Sequence, residues 1–398
     1  MFLFSWVNLN CYKILKNDTQ GESCMDFNKV EETINSFLQR NLFKGAVVRI
    51  NKDKQTIYSK TFGYNDQNNQ IPLKGNEIFR AYSMTKPLTA FAVLLLVDKK
   101  LISLDDDISK YIKSFKNKNI TVWNLLTMTS GLTYSGNKTQ TQIQTKEVLD
   151  RWMKERMDLE TFCDELSKVD LLFEPKKGWY YGLSLDVACQ IIEVVTNKKY
   201  RDFVKEEIFD KLEMFDSDFY LFDQARQANV FKWSLVDDQA KLEQLTNFNF
   251  LLQDVYKLPN CPMGGAGLFT TAADYIKFLD ALLDGKYQQT EIISSQLLEQ
   301  MRSDQLSKHN LKQFFKWNLN SDYSYGFGVR VRTKNNLYPL TEVGEFGWDG
   351  LLGSSGLVDP KNRITMTIML SSFPGHNSVV ESEFFDALYQ DLRKNNLA

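Results

Sequence analysis

The sequence contains only two histidines, His309 and His376, and this scarcity argues against several kinds of active site. A Ser-His-Asp hydrolase needs a histidine as its base, but no G-x-S-x-G turn is present and both histidines lie in polar, loop-like segments. The sequence has no H-x-x-x-H pair for zinc, and the glycines of residues 264–267 match neither a P-loop nor a dinucleotide-binding pattern. If the chain transfers acyl groups, lysine and tyrosine must therefore carry the protons.

Cysteines are also few and show no pairing pattern. The five residues Cys11, Cys24, Cys163, Cys189 and Cys261 are odd in number and lack C-x-x-C spacing. Cys189 falls within an apolar helical pattern, which predicts a buried, unreactive thiol. We therefore expect a reducing compartment, the cytoplasm.

Neither charge nor hydropathy indicates a nucleic acid or a membrane as partner. The formal net charge is -2, so no basic surface for nucleic acid is predicted. The longest apolar run, residues 90–97, is far shorter than the ~20 residues that span a bilayer. Residues 1–24 lack the basic segment and the cleavage site of a signal peptide, so we interpret them as an N-terminal extension, and translation starting at Met25 is an alternative. Residues 25–398 are then predicted to form one large domain.

Strand patterns occur at both ends of the chain, and helical patterns lie between them. The predicted strands are residues 46–50, 56–62, 324–333, 353–358 and 363–370. Thr271 and Asp274 form a capping pattern for a helix that ends at Gly285. Two central segments, 137–146 and 233–256, show no readable period, and we predict that the first is an exposed loop.

This order of elements indicates an α+β fold. We expect an antiparallel sheet flanked by helices, built from residues of about 25–104 and 317–398. A mainly helical subdomain, about 105–316, is predicted as an insertion between them.

The pair Ser83 and Lys86 lies at the start of the most apolar helical segment, FRAYSMTKPLTAFAVLLLVDKK. A helix that begins near Ser83 places both residues on one face, with Pro87 in its first turn. Apolar residues surround the following turns, which predicts burial and a lowered pKa for Lys86. A neutral lysine next to a serine is a base next to a nucleophile. The alternative is a solvated polar pair, because S-x-x-K is common in helices.

The segment IFRAYSMTKPLTAF resembles the nucleophile motif of serine β-lactamases, penicillin-binding proteins and their esterase relatives. The resemblance extends from about Phe27 to the C-terminal helix. Three further segments resemble parts of that superfamily in the expected order: ITVWNLLTMTSGLTY, GGAGLFTTAADYIKFLDALLDG and FGWDGLLGSSGLVDP. The resemblance implies a β-lactamase/transpeptidase-like fold and an acyl-enzyme mechanism that needs no metal or organic cofactor.

The segment FEPKKGWYYGLSLDVACQIIEVV resembles the second motif of the esterase-like branch, which is related to class C β-lactamases. It implies that Tyr181, and not Tyr180, relays protons among Ser83, Lys86 and the leaving group, provided that Lys86 lowers the pKa of this tyrosine. The alternative is that these aromatic residues only pack a loop onto the core. Leu183 stands where the family commonly has asparagine, which disfavours β-lactam substrates.

Residues Trp348, Asp349 and Gly350 stand where β-lactamases and penicillin-binding proteins commonly have lysine, threonine and glycine. Tryptophan here resembles the esterase branch. The resemblance implies that this strand lines the site, that Gly350 allows close approach of the substrate, and that the Leu351 and Ser83 amides form an oxyanion hole. Without the lysine a substrate carboxylate loses a partner, and Asp349 would repel one if it faced the pocket. Alternatively, the indole is buried and Asp349 points to solvent.

We therefore predict a serine hydrolase that cleaves neutral carboxylic esters of small molecules through a covalent acyl-enzyme. Ser83, Lys86 and Tyr181 are the predicted catalytic residues. Two alternatives stay open: a β-lactamase or D-alanyl-D-alanine peptidase with the same chemistry, and a non-catalytic binding or scaffold member of the family.

Overall fold

The computed structural model describes residues 25–398. The interpretation of residues 1–24, including Cys11 and Cys24, lies outside the described residues. The helices are α1 Asn28–Gln39, α2 Thr85–Asp98, α3 Val122–Leu126, α4 Gln140–Glu155, α5 Leu159–Ser167, α6 Ser184–Thr196, α7 Tyr200–Val204, α8 Ala272–Asp284, α9 Ser295–Met301, α10 Lys308–Asn318, α11 Asn377–Val379 and α12 Phe385–Lys394. The strands are β1 Gly45–Lys52, β2 Gln55–Gly63, β3 Phe79–Arg80, β4 Val230–Val236, β5 Gln239–Leu245, β6 Phe269–Thr270, β7 Lys286–Tyr287, β8 Thr290–Glu291, β9 Tyr323–Tyr325, β10 Arg330–Arg332, β11 Phe346–Asp349, β12 Ser355–Asp359, β13 Ile364–Leu370 and β14 Ser372–Phe373.

A seven-stranded sheet is the centre of the fold. Its strand order is β2-β1-β13-β12-β11-β10-β9, and every pair of neighbours is antiparallel. In β1, Val48 lies opposite Lys60 of β2 on one side and Ile368 of β13 on the other. The first strands of the chain thus pair with the last ones, which confirms the predicted α+β fold. The proposed subdomain boundaries and the cytoplasmic location stay predictions.

The sheet separates two hydrophobic cores because side chains alternate along each strand. Ala46, Val48 and Ile50 of β1 pack with α1 and α12 on one face. Val47 contributes to the larger core on the other face, where α8 packs against β1, β12 and β13. This larger core also contains α2, whose residues 85–96 are all buried, as the apolar pattern predicts. None of the helices within residues 25–398 has the length and apolar character needed to cross a bilayer.

The prediction of an exposed loop at residues 137–146 is wrong. Most of this segment belongs to α4, and the Thr139 side chain caps the helix by accepting a hydrogen bond from the Gln142 amide. Thr141, Gln142 and Thr145 are buried although they are polar. Hydrogen bonds hold two of these side chains: the Thr145 hydroxyl donates to the Thr141 carbonyl over 2.8 Å, and Gln142 Oε1 accepts from the Lys138 amide over 3.1 Å. A helix whose first buried residues are polar shows no apolar period over that stretch, so the pattern could not reveal it.

The segment 233–256 also contains structure that its pattern did not reveal. β4 and β5 form a hairpin, and Asp237 and Asp238 at its turn have positive φ angles of 51° and 58°. Two successive left-handed residues are typical of a tight hairpin turn, and aspartate tolerates this conformation. Apolar residues of β4 such as Leu235 are exposed, which obscured the alternation.

Other boundaries shift by only a few residues. The predicted strand 324–333 is a pair, β9 and β10, because Gly328 with φ 71° turns the chain between them. The Thr271 side chain caps α8 and Gly285 ends it, as predicted, but the Asp274 carboxylate accepts from the Asp216 amide instead of completing a capping box.

Candidate active site

Ser83 lies in a single 3₁₀ turn, Tyr82–Met84, between β3 and α2. Tyr82 has φ 47°, a conformation that costs energy for a residue with a side chain and that clusters at functional sites. The Thr85 hydroxyl donates to the Tyr82 carbonyl over 2.6 Å, and its oxygen, Oγ1, accepts from the Leu268 amide over 3.0 Å. The serine is therefore presented on a strained turn that a distant loop holds in place.

Lys86, in the first turn of α2, reaches three partners from a fully buried position. Its Nζ lies 3.1 Å from Ser83 Oγ, 3.1 Å from the Tyr134 hydroxyl and 2.7 Å from the Gly265 carbonyl oxygen. A carbonyl can only accept, so one Nζ proton is committed to Gly265. If the second proton of a neutral amine goes to Tyr134, the lone pair points at Ser83. This is the orientation that a base needs.

Burial determines the charge of this amine. It lowers the pKa of Lys86 to about 7, while the nearby Asp186 carboxylate opposes the shift. Burial also raises the pKa of Asp186 to about 6. Asp186 Oδ1 accepts from the Gly265 amide over 2.8 Å, so one residue, Gly265, contacts the amine with its carbonyl and the acid with its N–H. The Lys86 amine can thus lose its proton near neutral pH.

Gly265 is required by the same arrangement. A Cβ atom at this position would lie 2.8 Å from Asp186 Oδ2 and 3.1 Å from the Tyr134 hydroxyl. Any side chain would therefore displace the acid or the phenol. Residue 265, in the loop before β6, can approach Lys86 this closely only if it is glycine.

Tyr181 completes the group of predicted catalytic residues. Its phenol accepts a hydrogen bond from Trp348 Nε1 over 3.1 Å and lies close enough to Ser83 for the serine to influence its pKa. Lys86 Nζ lies 4.5 Å from the centre of its ring. Burial raises the pKa of Tyr181, while its interactions with Ser83 and Trp348 oppose this shift. The expected lowering of this pKa by Lys86 is not found, so the resting phenol is a proton donor.

The strand that carries Trp348 ends next to the nucleophile turn. Trp348 is buried in β11, and Gly350 follows the end of that strand. A Cβ at Gly350 would lie 2.6 Å from the carbonyl oxygen of Ala81, two residues before Ser83. The close approach that this glycine permits is therefore between two backbone segments of the site.

The Gly350 carbonyl accepts two hydrogen bonds, from Asn377 Nδ2 over 2.9 Å and from the Gly353 amide over 3.0 Å. The carbonyl and the next N–H of a trans peptide point in opposite directions. Asn377 and Gly353 thus orient the Leu351 amide, the predicted second oxyanion donor. Sequence reasoning did not identify Asn377.

Asp349 adopts neither of the two arrangements considered from the sequence. Its carboxylate forms an ion pair with the buried Arg330 and accepts from Ser355 Oγ over 2.6 Å. Arg330 also lies 3.2 Å from Glu381 Oε1. Burial opposes ionisation of Asp349, but Arg330 holds its pKa below the usual value. The ion pair neutralises the charge of Asp349 within the protein and helps to hold β11 in place.

Two polar residues of the site were missed. Tyr134 is the last residue of a segment recognised by resemblance, and Asp186 is the one acid among the buried residues of α6. The structure also locates other residues named in the sequence analysis. Gln142 Nε2 donates to the Tyr180 hydroxyl over 2.5 Å, and Leu183 is buried in the core. His309 contacts Gln313, and His376 packs edge-on against Trp233.

Comparisons with known proteins identify the family of the chain. A family model described as Beta-lactamase matches residues 30–391. Esterase EstB of Burkholderia gladioli is 22% identical over 389 residues, which cover 91% of this chain and 94% of EstB. Lovastatin esterase of Penicillium rubens is 26% identical over 380 residues, covering 84% of this chain and 90% of that enzyme. The solved structure of EstCE1, a hydrolase with promiscuous acyltransferase activity, is similar with a TM-score of 0.76 and 21% identity, covering 91% of this chain and 98% of EstCE1. The chain belongs to the Beta-lactamase family, in its esterase-like and penicillin-binding-protein-like branch, and is a hydrolase of the serine-esterase type.

Proposed function

We propose that this protein hydrolyses neutral carboxylic esters through an acyl-enzyme on Ser83. The observation that carries the proposal is the buried Lys86 amine, 3.1 Å from Ser83 Oγ and with a pKa lowered to about 7. Such an amine is a base beside a nucleophile. Tyr181, which lies beside the same serine and is protonated at rest, supplies the acid.

The protons balance over two steps. Ser83 Oγ attacks the ester carbonyl and its proton passes to Lys86, while Tyr181 gives its proton to the departing alkoxide. The resulting tyrosinate is stabilised by the Lys86 ammonium and by the Trp348 N–H. Water then attacks the acyl-enzyme and gives a proton to Tyr181. The Ser83–acyl bond breaks, and Ser83 Oγ recovers its proton from Lys86. The Leu351 and Ser83 amides stabilise the oxyanion in both steps.

The residues around this centre support neutral substrates. The indole of Trp348 stands where a lysine would attract a substrate carboxylate, and Leu183 offers no amide to hold a β-lactam side chain. The relatives EstB and lovastatin esterase carry the name esterase. We therefore favour ester hydrolysis over the β-lactamase or peptidase alternative.

Covalent trapping tests the proposal. After brief incubation with a p-nitrophenyl ester, intact mass spectrometry should show one added acyl group, and peptide mapping should locate it on Ser83. Ser83→Ala should show no adduct, whereas Ser114→Ala, a change of an exposed serine, should behave as the wild type. Absence of any adduct and of ester turnover would support the non-catalytic alternative. Faster turnover of nitrocefin than of the ester would support the β-lactamase alternative.

The charge of Asp186 should influence the pH dependence of hydrolysis. The base must be neutral, so kcat/KM rises with pH through the pKa of Lys86, about 7. Asp186 raises that pKa, so Asp186→Asn should lower it and move the rising limb to lower pH. The asparagine Oδ1 can still accept from the Gly265 amide. The measurement is kcat/KM for a p-nitrophenyl ester from about pH 5 to about pH 9.

A matched control separates this effect from burial alone. Asp280 is another buried carboxylate whose pKa is raised by burial, but it binds Thr365 and Asn51 away from Lys86. Asp280→Asn should leave the pH profile unchanged. An unchanged or alkaline-shifted profile in Asp186→Asn would mean that Asp186 does not act on Lys86.

A further inference from the structure

We propose that Trp317 is a substrate-binding residue that favours esters whose leaving alcohol carries a flat apolar ring. The inference rests on the proposed ester hydrolysis and extends it to a class of substrate. Trp317 lies in the last turn of α10, and neither its position nor its neighbours could be read from the sequence.

The indole of Trp317 is unusually exposed for its size and its location. It is 46% exposed, yet its ring centre lies 4.6 Å from that of Tyr181. It also lies 5.9 Å from Trp348 with the two ring planes within 1° of parallel. One part of the indole therefore touches two residues of the catalytic centre while another part contacts solvent.

Buried aromatic residues hold this exposed ring in place. The ring centre of Trp179 lies 5.4 Å away and that of Phe314 lies 6.3 Å away, and both residues are buried. Tyr325 packs edge-on against Trp179 and Trp348 at 5.6 Å and 5.1 Å. An aromatic surface with such support loses little conformational freedom when a ligand stacks on it.

The position of Trp317 relative to Tyr181 identifies the part of the ester that it contacts. In the proposed mechanism Tyr181 protonates the leaving alkoxide, so the alcohol must lie against the phenol. Trp317 packs against that same phenol, whereas the oxyanion donors Leu351 and Ser83 contact the carbonyl oxygen. A ring on the alcohol can therefore reach Trp317 within the ~4.5–7 Å between centres that aromatic pairs prefer.

Two series of esters test this assignment. The first keeps a butyryl group and varies the alcohol from ethanol to phenol and 2-naphthol; the second keeps ethanol and varies the acyl chain. Trp317→Ala should lower kcat/KM by about tenfold for the aryl esters and by less than about twofold for the ethyl esters, as expected for one lost stacking contact. Trp317→Phe should recover most of the aryl preference.

Controls separate a binding role from a structural one. Phe215→Ala removes another exposed aromatic residue, 70% exposed, and should leave both series unchanged. An equal loss for all esters in Trp317→Ala, or a loss that follows the acyl chain, would overturn the proposal. Failure of the proposed function itself looks different, because the wild-type protein would then hydrolyse neither series and would form no Ser83 adduct.

Discussion

Lys86→Met is expected to lower kcat/KM for a p-nitrophenyl ester by about 10³-fold, within the ~10²–10⁴-fold that a positioned base contributes. Methionine preserves much of the volume of the buried side chain, so α2 should stay packed. The variant loses the lone pair that faces Ser83 and the ammonium that would stabilise the tyrosinate. Stopped-assay kinetics at about pH 8, above the pKa of Lys86, measure the loss where the wild type is most active.

The same substitution elsewhere provides the control for Lys86→Met. Lys99 follows α2 directly and forms an exposed ion pair with Glu207. Lys99→Met should retain wild-type kinetics. If Lys86→Met kept more than about a tenth of the wild-type kcat/KM, another group would have to be the base.

Arg330→Met is expected to lower the free energy of unfolding by about 3–5 kcal/mol, the usual cost of removing one partner of a buried ion pair. Arg330 is 1% exposed and lies between Asp349 and Glu381. Without its guanidinium, the Asp349 carboxylate would stay ionised in a buried position or take up a proton. Urea unfolding at neutral pH, followed by circular dichroism, measures the change.

A double substitution identifies the cause of the loss. Arg330→Met with Asp349→Asn removes both charges of that pair and should recover part of the stability, because burial holds the pKa of the neighbouring Glu381 well above its usual value and no uncompensated anion is then left. Arg302→Met breaks an ion pair with the exposed Glu299 and should cost no more than about 1 kcal/mol. A loss in Arg330→Met as small as that of Arg302→Met would show that the ion pair contributes little.

The parts of the site that the sequence reveals are the local ones. Ser83, in the 3₁₀ turn, and Lys86, in the first turn of α2 that follows it, are three residues apart, so their proximity follows from local helical geometry. Tyr181 could be identified only because its segment resembles a family motif. Tyr134 contacts Lys86 and Asp186 acts on it through its charge, both from separate segments, and no spacing along the chain indicates either interaction. Resemblance marked the segment of Tyr134 but not the role of its last residue.

The sheet was predictable for a related reason. Alternating apolar residues mark β1, β12 and β13 because one or both faces are buried. The helix α4 and the hairpin of β4 and β5 were missed, since the former buries hydrogen-bonded polar side chains and the latter exposes apolar ones. The charge pair of Asp349 with Arg330 was equally hidden, because it forms between two strands and not within one.

The hydrogen bond from Asn377 to the Gly350 carbonyl relates catalytic competence to the completion of the chain. When the ribosome has synthesised residues up to Trp348, Ser83, Lys86 and Tyr181 are already present. Asn377, which would help to orient the proposed second oxyanion donor, has not yet been made. A protein shortened before Asn377 would carry every reacting side chain but lack one of the two hydrogen bonds that fix the Gly350 carbonyl. If the proposed site is correct, we expect full esterase activity only in molecules whose last helices have docked.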